Sequence, residues 1–469
     1  MNDLLGKSIF VAVSAALAMS LLSDTMLATL GLSLLATAVL VPTACSVRLR
    51  RDLNSLVFSS LLWRLLVVSL VALWILPYYA ARDSTDIVYY DIQAGHIADL
   101  IRAGAWSEIH LSVGSDIVSF VTALLYVPFG PTPGGMTFLS GLLGFIGSLY
   151  FVAAAVVALE SSRVRGYAMF VLLLPSIVFW STLFGKDSWV FCGLGICAFG
   201  IARWLKFGQW TDFLKTLIGV GVVYTFRPHI ALAVTLGLAL TTVVCRERRS
   251  PRSVTKSVAV LLLLAPMMVF IWQAVSDMTG VTVVSRKSAV AEISQRGAGN
   301  KGGGSDVTTT ETEGQLGFIS QLPAGAVRLL FRPWPWEATS LFMFVAALDN
   351  IILIAVLLAK WRNVSDTLRH LRTQPFAFFC VVLTIQLIVM FSTIPNLGLL
   401  MREKTQVTPF LYLLAFSGNR RVVRRRRPTR RKGAEAPWLN RIRGTVPLGS
   451  EGVAASRTQC LSVGTEPGV

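Results

Sequence analysis

An all-α fold, a polytopic transmembrane bundle of about twelve helices, is predicted by the hydropathy, the charge content and the placing of the basic loops. Hydrophobic residues fill 54% of the 469 positions and charged residues only 14%, against roughly 25% charged in a soluble domain. The mean hydropathy is +0.64. A chain this apolar has too little polar surface to cover a water-soluble core. Its apolar residues gather in runs of about 18–20, each able to cross a hydrocarbon layer of roughly 30 Å. No long stretch alternates polar and apolar residues, which argues against a membrane β-barrel.

The runs predict helices near 8–24, 26–45, 55–79, 135–159, 166–184, 188–205, 211–226, 229–246, 255–275, 339–360, 375–394 and 405–417. A further run, 114–129, is short, contains Pro128 and leads into Gly130-Pro-Thr-Pro-Gly-Gly135. Basic loops favour the cytoplasm. If 114–129 does not cross, Arg48–Arg51, Arg163–Arg165, Arg203–Lys206, Arg246–Arg252, Lys360–Arg372 and the arginine-rich tail all fall inside. A crossing there would put the loops between 160 and 252 outside. The consistent reading makes 114–129 a re-entrant segment of a large first extracytoplasmic loop, 80–134, with a second outside loop over 276–338. Backbone that dips into the membrane without crossing must be buried in protein or line a cavity.

Three regions result. Residues 1–54 are an N-terminal helical hairpin and basic loop; the first run lacks a convincing cleavage site and is read as uncleaved. Residues 55–418 are the transmembrane core, and 419–469 a basic, structureless cytoplasmic tail. The protein is expected in the plasma membrane (a bacterial inner membrane), multi-pass, with both termini cytoplasmic. The net charge of +18 owes much to Arg420–Lys432. A basic run directly after a membrane helix anchors topology and binds anionic lipid, so no nucleic-acid partner is inferred. Cys192, Cys197 and Cys380 lie in apolar helices and no cysteine falls in an outside loop, so no disulfide framework is expected. The glycine-rich stretch Gly297–Thr312 reads as flexible and dispensable for folding.

Ionisable residues converge at the outside helix ends, where they are expensive to keep and so point to function. The candidates are Asp86, Asp91, His96, Lys186, Asp187, Arg227, His229, Arg332, Glu337 and Arg402. Ile97, Leu100, Ile101 and Gly104 repeat at helical spacing and predict an amphipathic surface helix beginning near Asp91. Asp91 is then either an N-cap or an acid of the site. Five residues separate it from His96, about 140° of helix, so the two do not form a dyad. Lys186-Asp187 occupies a short turn flanked by Trp180 and Trp189. It is either a solvated local ion pair or a phosphate-binding lysine with its orienting carboxylate. Arg227-Pro228-His229 interrupts an apolar stretch. Its arginine either snorkels to the interface or grips phosphate oxygens with its planar fork. Arg402 and Lys404, in an outside turn over 396–406, run against the positive-inside trend, with Glu403 offsetting one charge. Arg64 lies mid-helix and is expected to pair inside the bundle. The tryptophans of Arg332-Pro-Trp-Pro-Trp-Glu337 suit an interfacial anchor.

A membrane helix, then an acid-bearing first outside loop with a surface helix and a re-entrant segment, then many short-looped helices: this order resembles the C-type glycosyltransferase superfamily. Those multi-spanning enzymes use polyprenyl-phosphate sugars. The resemblance spans roughly residues 55–415. Pro175–Asp187, Arg227-Pro-His229, Phe331–Glu337 and Asn396–Arg402 also resemble bacterial membrane proteins of surface-polysaccharide synthesis. It implies that Asp86 or Asp91 is the catalytic or metal-binding acid, with magnesium or manganese as the candidate cofactor. It further implies phosphate-binding roles for Lys186, Arg227, His229, Arg332 and Arg402, and for partners a polyprenyl-phosphate-linked sugar and a glycan, lipid or protein acceptor. The sequence departs from the family in its two extra N-terminal helices and in lacking an adjacent acidic pair. Two other readings stay open: a polymerase or ligase acting on pyrophosphate-linked glycans, and a lipid-linked glycan flippase, which predicts paired broken helices.

Overall fold

The computed structural model describes residues 7, 9–15, 29–31, 33–38, 41, 51–80, 86–245, 251–279, 315–392, 394 and 396–418. These all belong to one compact unit, 1–419; the second unit, 420–469, lies outside the described residues. So do Gly297–Thr312 and the expectations made for the tail, and of the N-terminal hairpin only scattered helical positions are described.

The described residues are helical, with no β-strand among them. Helix α1 (Asn54–Leu70) continues through a π-helical turn, Val71–Ile75, into Leu76–Ala80. The segment that follows carries α2 (Asp86–Arg102) and α3 (Ser115–Phe129), which pack on each other. Next come α4 (Pro133–Ala158), α5 (Ser161–Leu173), the short α6 (Pro175–Trp180), α7 (Lys186–Phe207), α8 (Trp210–Phe226) and α9 (Pro228–Val244). The described chain closes with α10 (Pro251–Thr279), α11 (Gln315–Phe331), α12 (Leu341–Ala359), α13 (Trp361–Arg369), α14 (Pro375–Phe391) and α15 (Leu397–Phe416).

Five of these helices are long and apolar enough to cross a membrane: 54–78, 133–158, 186–207, 257–276 and 341–359. Among the described residues the predicted dozen is not reached by that measure; the runs expected over 8–24 and 26–45 lie largely outside them, and others differ for identifiable reasons. The run expected over 166–184 is cut at Leu174-Pro175, since proline pushes the residue before it out of the helical region and Leu174 is extended. It is cut again where residues 181–185 leave the helix before α7. The run expected over 405–417 starts eight residues earlier, at Leu397. The surface helix begins at Asp86, not near Asp91, and its buried stripe is Tyr90, Ala94 and Ala98. Asp91 therefore lies in the second turn and is not a cap.

Helix α7 is the centre of the bundle, wedged between α4 and α8. The close approach needs glycine. A Cβ on Gly147 of α4 would stand 2.8 Å from the Cys192 Cα, and one on Gly195 would collide with the Gly147 carbonyl. Small residues let helix backbones meet where lipid gives no hydrophobic drive to associate. Gly147→Val is expected to lower stability by about 1–3 kcal/mol, the usual effect of overpacking. The melting temperature of the detergent-solubilised protein reads this; an unchanged melt would mean that α4 and α7 do not meet there.

Arg64 is 1% exposed. It donates to Ser181 Oγ at 2.6 Å, Ser148 Oγ at 3.1 Å and Thr182 Oγ1 at 3.5 Å. It thus pairs inside the bundle as expected, with hydroxyls, tying α1 to α4 and to the break after α6.

Candidate functional site

The charged residues gather where five helix ends meet. Gly185, at φ 152°, lets the chain turn sharply into α7, a conformation glycine tolerates and other residues rarely adopt. That places Lys186 and Asp187 in the first turn of α7, where free N–H groups and the helix dipole favour an acid. Asp187 is 4% exposed, so the solvated-turn reading of Lys186-Asp187 is wrong. Pro228 opens α9 and separates it from α8, leaving Arg227 between the two with an extended backbone. Asn396 caps α15 by accepting from the Leu399 N–H at 3.1 Å, and 397–406, expected as a turn, is helical.

Successive residues of α15 are turned by about 100°, so Arg402, Glu403 and Lys404 reach different neighbours. Arg402 donates through Nε to Asp187 Oδ2, and through Nη1 to Asp86 Oδ2 at 2.6 Å. Arg227 donates through Nη2 to Asp187 Oδ1 at 2.6 Å and through Nη1 to Glu403 Oε2. Gln406 Nε2 adds a hydrogen bond to Glu403 Oε2 at 3.0 Å. The result is one alternating chain, Asp86–Arg402–Asp187–Arg227–Glu403. Lys186 donates to Ser115 Oγ at 3.1 Å, at the start of α3, and its charge is felt at the Asp86 carboxylate. Three carboxylates and three cations make the cluster neutral. Burial on its own would raise the Asp86 carboxyl, but the charge and hydrogen bond of Arg402, helped by Lys186 and Arg227, hold it below the ordinary carboxylate value.

Other candidates stand apart from this chain. Asp91 accepts a 2.5 Å hydrogen bond from the Tyr126 hydroxyl. Arg102 donates to the Tyr126 carbonyl at 2.5 Å, so both bonds lock α2 onto α3. Burial pushes the Asp91 carboxyl up, opposed by the Tyr126 bond. His96 is exposed and makes no hydrogen bond among the described residues. His229, in the first turn of α9, is half-buried beside Arg227. Arg332 and Glu337 pair with each other at 2.6 Å, and the Trp334 N–H donates to Glu337 at 2.9 Å. The Trp334 and Trp336 rings stack at 5.4 Å. Arg332 and Arg227 are thus both held by carboxylates of the chain itself, and neither presents a vacant fork to a phosphate.

Of a second polar cluster the sequence marks Lys404 alone. Lys404, 8% exposed, donates to the Leu330 carbonyl and to Asn350 Oδ1. Asn350 Nδ2 donates to the Phe331 and Pro333 carbonyls at 3.2 and 2.9 Å. Together they satisfy the open carbonyl end of α11. Asp349 accepts the Ser176 N–H at 2.6 Å, at the N-terminal turn of α6. Asp349, Asn350 and Lys404 line a small cavity of about 20 Å³ with Ser176, Thr405, Thr408 and Tyr412. The available signal was an Asp-Asn pair in the middle of an otherwise apolar nineteen-residue helix, expensive there unless it bonds.

Among the described residues no three His, Cys, Asp or Glu side chains come together to hold a metal, and carboxylate oxygens of Asp86, Asp187 and Glu403 meet guanidinium groups instead. Among the described residues these acids are thus engaged by guanidinium groups and do not form a ready cation site.

Asp91→Asn keeps an oxygen that accepts from Tyr126. For an acid whose carboxyl is raised on folding, the contribution to stability is complete below its unfolded value and is lost as pH rises through the folded one. The amide escapes that loss. The Asp91→Asn protein is therefore expected to melt no lower than wild type at about pH 5 and relatively higher at about pH 8; a lower melt at the higher pH would show that the folded state needs the charge.

Comparison with protein-family models, with curated proteins and with solved structures gives no match to this chain.

Proposed function

We propose that the protein is a membrane glycosyltransferase that moves a sugar from a polyprenyl-phosphate donor to an extracytoplasmic glycan, lipid or protein acceptor during cell-envelope polysaccharide synthesis. One observation carries the reading: Asp86, an exposed acid of the segment between α1 and α4, shares Arg402 with the buried Asp187. It brings a solvent-facing carboxylate and membrane-embedded cations to the same helix ends. The positive-inside distribution of the loops supports an outside position for those ends.

In this scheme Asp86 is the general base. It takes the proton of an acceptor hydroxyl as that oxygen attacks the anomeric carbon, and the bond from that carbon to the phosphate oxygen breaks. Arg402 and Lys186 stabilise the charge that develops on the leaving phosphate. Arg227 stands behind them and holds Asp187 and Glu403 in place. The test is the set of lipid-linked glycans that accumulates when the gene is deleted. A prenyl-phosphate monosaccharide should build up, with loss of that sugar from the surface polymer. Accumulation of complete repeat units on pyrophosphate would favour the polymerase or ligase alternative.

A flippase reading draws on a separate observation. The chain is broken at Leu174-Pro175, over 181–185 and at Arg227-Pro228, and discontinuous helices are a hallmark of transport sites. Transbilayer movement of the lipid-linked sugar without transfer, in vesicles holding the purified protein, would select it.

A further inference from the structure

Exposure along the charge chain is uneven. The side chains of Asp187, Arg227 and Glu403 are 6–7% exposed and that of Arg402 is 16%, but that of Asp86 is 57%. The four inner groups compensate one another in a low-dielectric setting, where removing either partner is costly. Asp86 is different. It meets water as well as Arg402, so the loss of its contact is offset by hydration, and exposed pairs are weak. Its departure would also unbalance the cluster. Without it two carboxylates remain against Arg227, Arg402 and Lys186, a surplus of one positive charge. The groups left uncovered would be the Arg402 Nη1 and the ammonium of Lys186, whose one hydrogen bond among the described residues goes to Ser115.

We propose that Arg402 and Lys186, beside Ser115, form a phosphate subsite that the Asp86 carboxylate occupies at rest, and that a lipid-borne phosphate enters by displacing it. A phosphomonoester carries up to two negative charges at neutral pH and the phosphodiester of a prenyl-phosphate sugar one, and the several oxygens of either can bridge the guanidinium and the ammonium together, as the Asp86 carboxylate does not. The exchange therefore runs in favour of the phosphate when one is available. Arg227 does not take part, since Asp187 and Glu403 already hold both arms of its fork. The displaced Asp86 is released from its guanidinium beside the bound phosphate. That release coincides with the moment at which a base is wanted; this last step rests on the glycosyl-transfer reading, while the exchange itself does not.

The test is binding of farnesyl phosphate to the full-length protein in phosphatidylcholine nanodiscs. Inorganic phosphate in a second arm separates a lipid-borne from a free phosphate. Removing the competing carboxylate with Asp86→Asn should tighten farnesyl phosphate by about tenfold. Inorganic phosphate should gain less, since it lacks the anchoring chain. Adding Lys186→Gln to Asp86→Asn should reverse the gain, and this variant keeps the proposal testable if Arg402→Gln fails to fold. Unchanged or weaker binding in Asp86→Asn would overturn the exchange, as would a gain that survives loss of Lys186. Equal gains for both probes would assign the site to free phosphate and overturn the lipid assignment. Tightened binding in Asp86→Asn, with a wild type that transfers no sugar, keeps the subsite and removes the transferase reading. Sugar transfer without tightened binding does the reverse.

Discussion

Arg227→Met is expected to lose about 3–5 kcal/mol of stability, the usual consequence of leaving buried carboxylates without their cation. Arg227 is 6% exposed and holds Asp187 with one arm and Glu403 with the other. Asp187 would retain Arg402, but Glu403 would keep only the amide of Gln406. A loss of that size rivals the whole stability of many domains. The variant should therefore aggregate or elute as a broader peak than the wild type on size exclusion. Arg227→Lys keeps the charge but has no planar fork to bridge two acids, and is expected to fall between the two. The double variant Arg227→Met, Glu403→Met removes both members of one buried pair and should recover much of the loss, because an apolar pair of similar volume is often no worse than a buried ion pair. A single variant that melts with the wild type would show that the network is not structural. It would restore Arg227 to the phosphate site that the sequence suggested.

That reversal for Arg227 illustrates what sequence alone can and cannot give here. Its place between two helices was legible, since Pro228 must stop α8 and an arginine in that place needs a partner or an anion. The anion was not legible, because Asp187 lies 40 positions away and Glu403 176; only the fold puts them together. Arg402-Glu403-Lys404 read as a turn because three charges in a row erase the hydropathy signal. In the helix the same three residues fan out, and each finds its own partner. Asp349 and Asn350 stayed hidden for the opposite reason, as two polar positions barely lower the mean of a strongly apolar run. Asp86 and Asp91 are acids of one loop, and the sequence leans to Asp91, at the expected start of the surface helix. The structure separates them by what they touch: Arg402 for the first, Tyr126 for the second.

The charge network also explains why the segment carrying α2 and α3 docks where it does. Asp86 holds the start of α2 to Arg402 of the last helix, and Ser115 holds the start of α3 to Lys186 of α7. Both contacts are polar, and Asp86 is largely in water. The inner chain Asp187–Arg227–Glu403 is closed by comparison. The same end of the bundle thus combines a rigid, charge-compensated floor with an exchangeable outer contact, which is the division of labour a site needs if a ligand is to enter without unfolding its walls.

Asp86→Asn is expected to lower sugar transfer by about 10²–10⁴-fold, the range in which a general base contributes, while leaving the melting temperature close to that of wild type. The fold should tolerate it because the side chain is 57% exposed and an exposed pair contributes little. Asp91→Asn should retain most of its turnover, since the amide can still accept from Tyr126 and Asp91 touches none of the cations. The pH profile gives a sharper test. In the free protein Arg402 keeps Asp86 ionised to below the ordinary carboxylate range, so kcat/KM, which reports the free enzyme, should hold steady as pH falls and drop only in strong acid. Once a donor phosphate has taken Arg402, Asp86 loses that stabilising charge and gains an anionic neighbour, and both changes raise its pKa. The acid limb of kcat, which reports the bound complex, should then lie at higher pH than the limb of kcat/KM. Coincident limbs would mean that Asp86 keeps Arg402 throughout turnover. A full loss of transfer in Asp91→Asn, with Asp86→Asn active, would transfer the role of base to Asp91 and the Tyr126 pair.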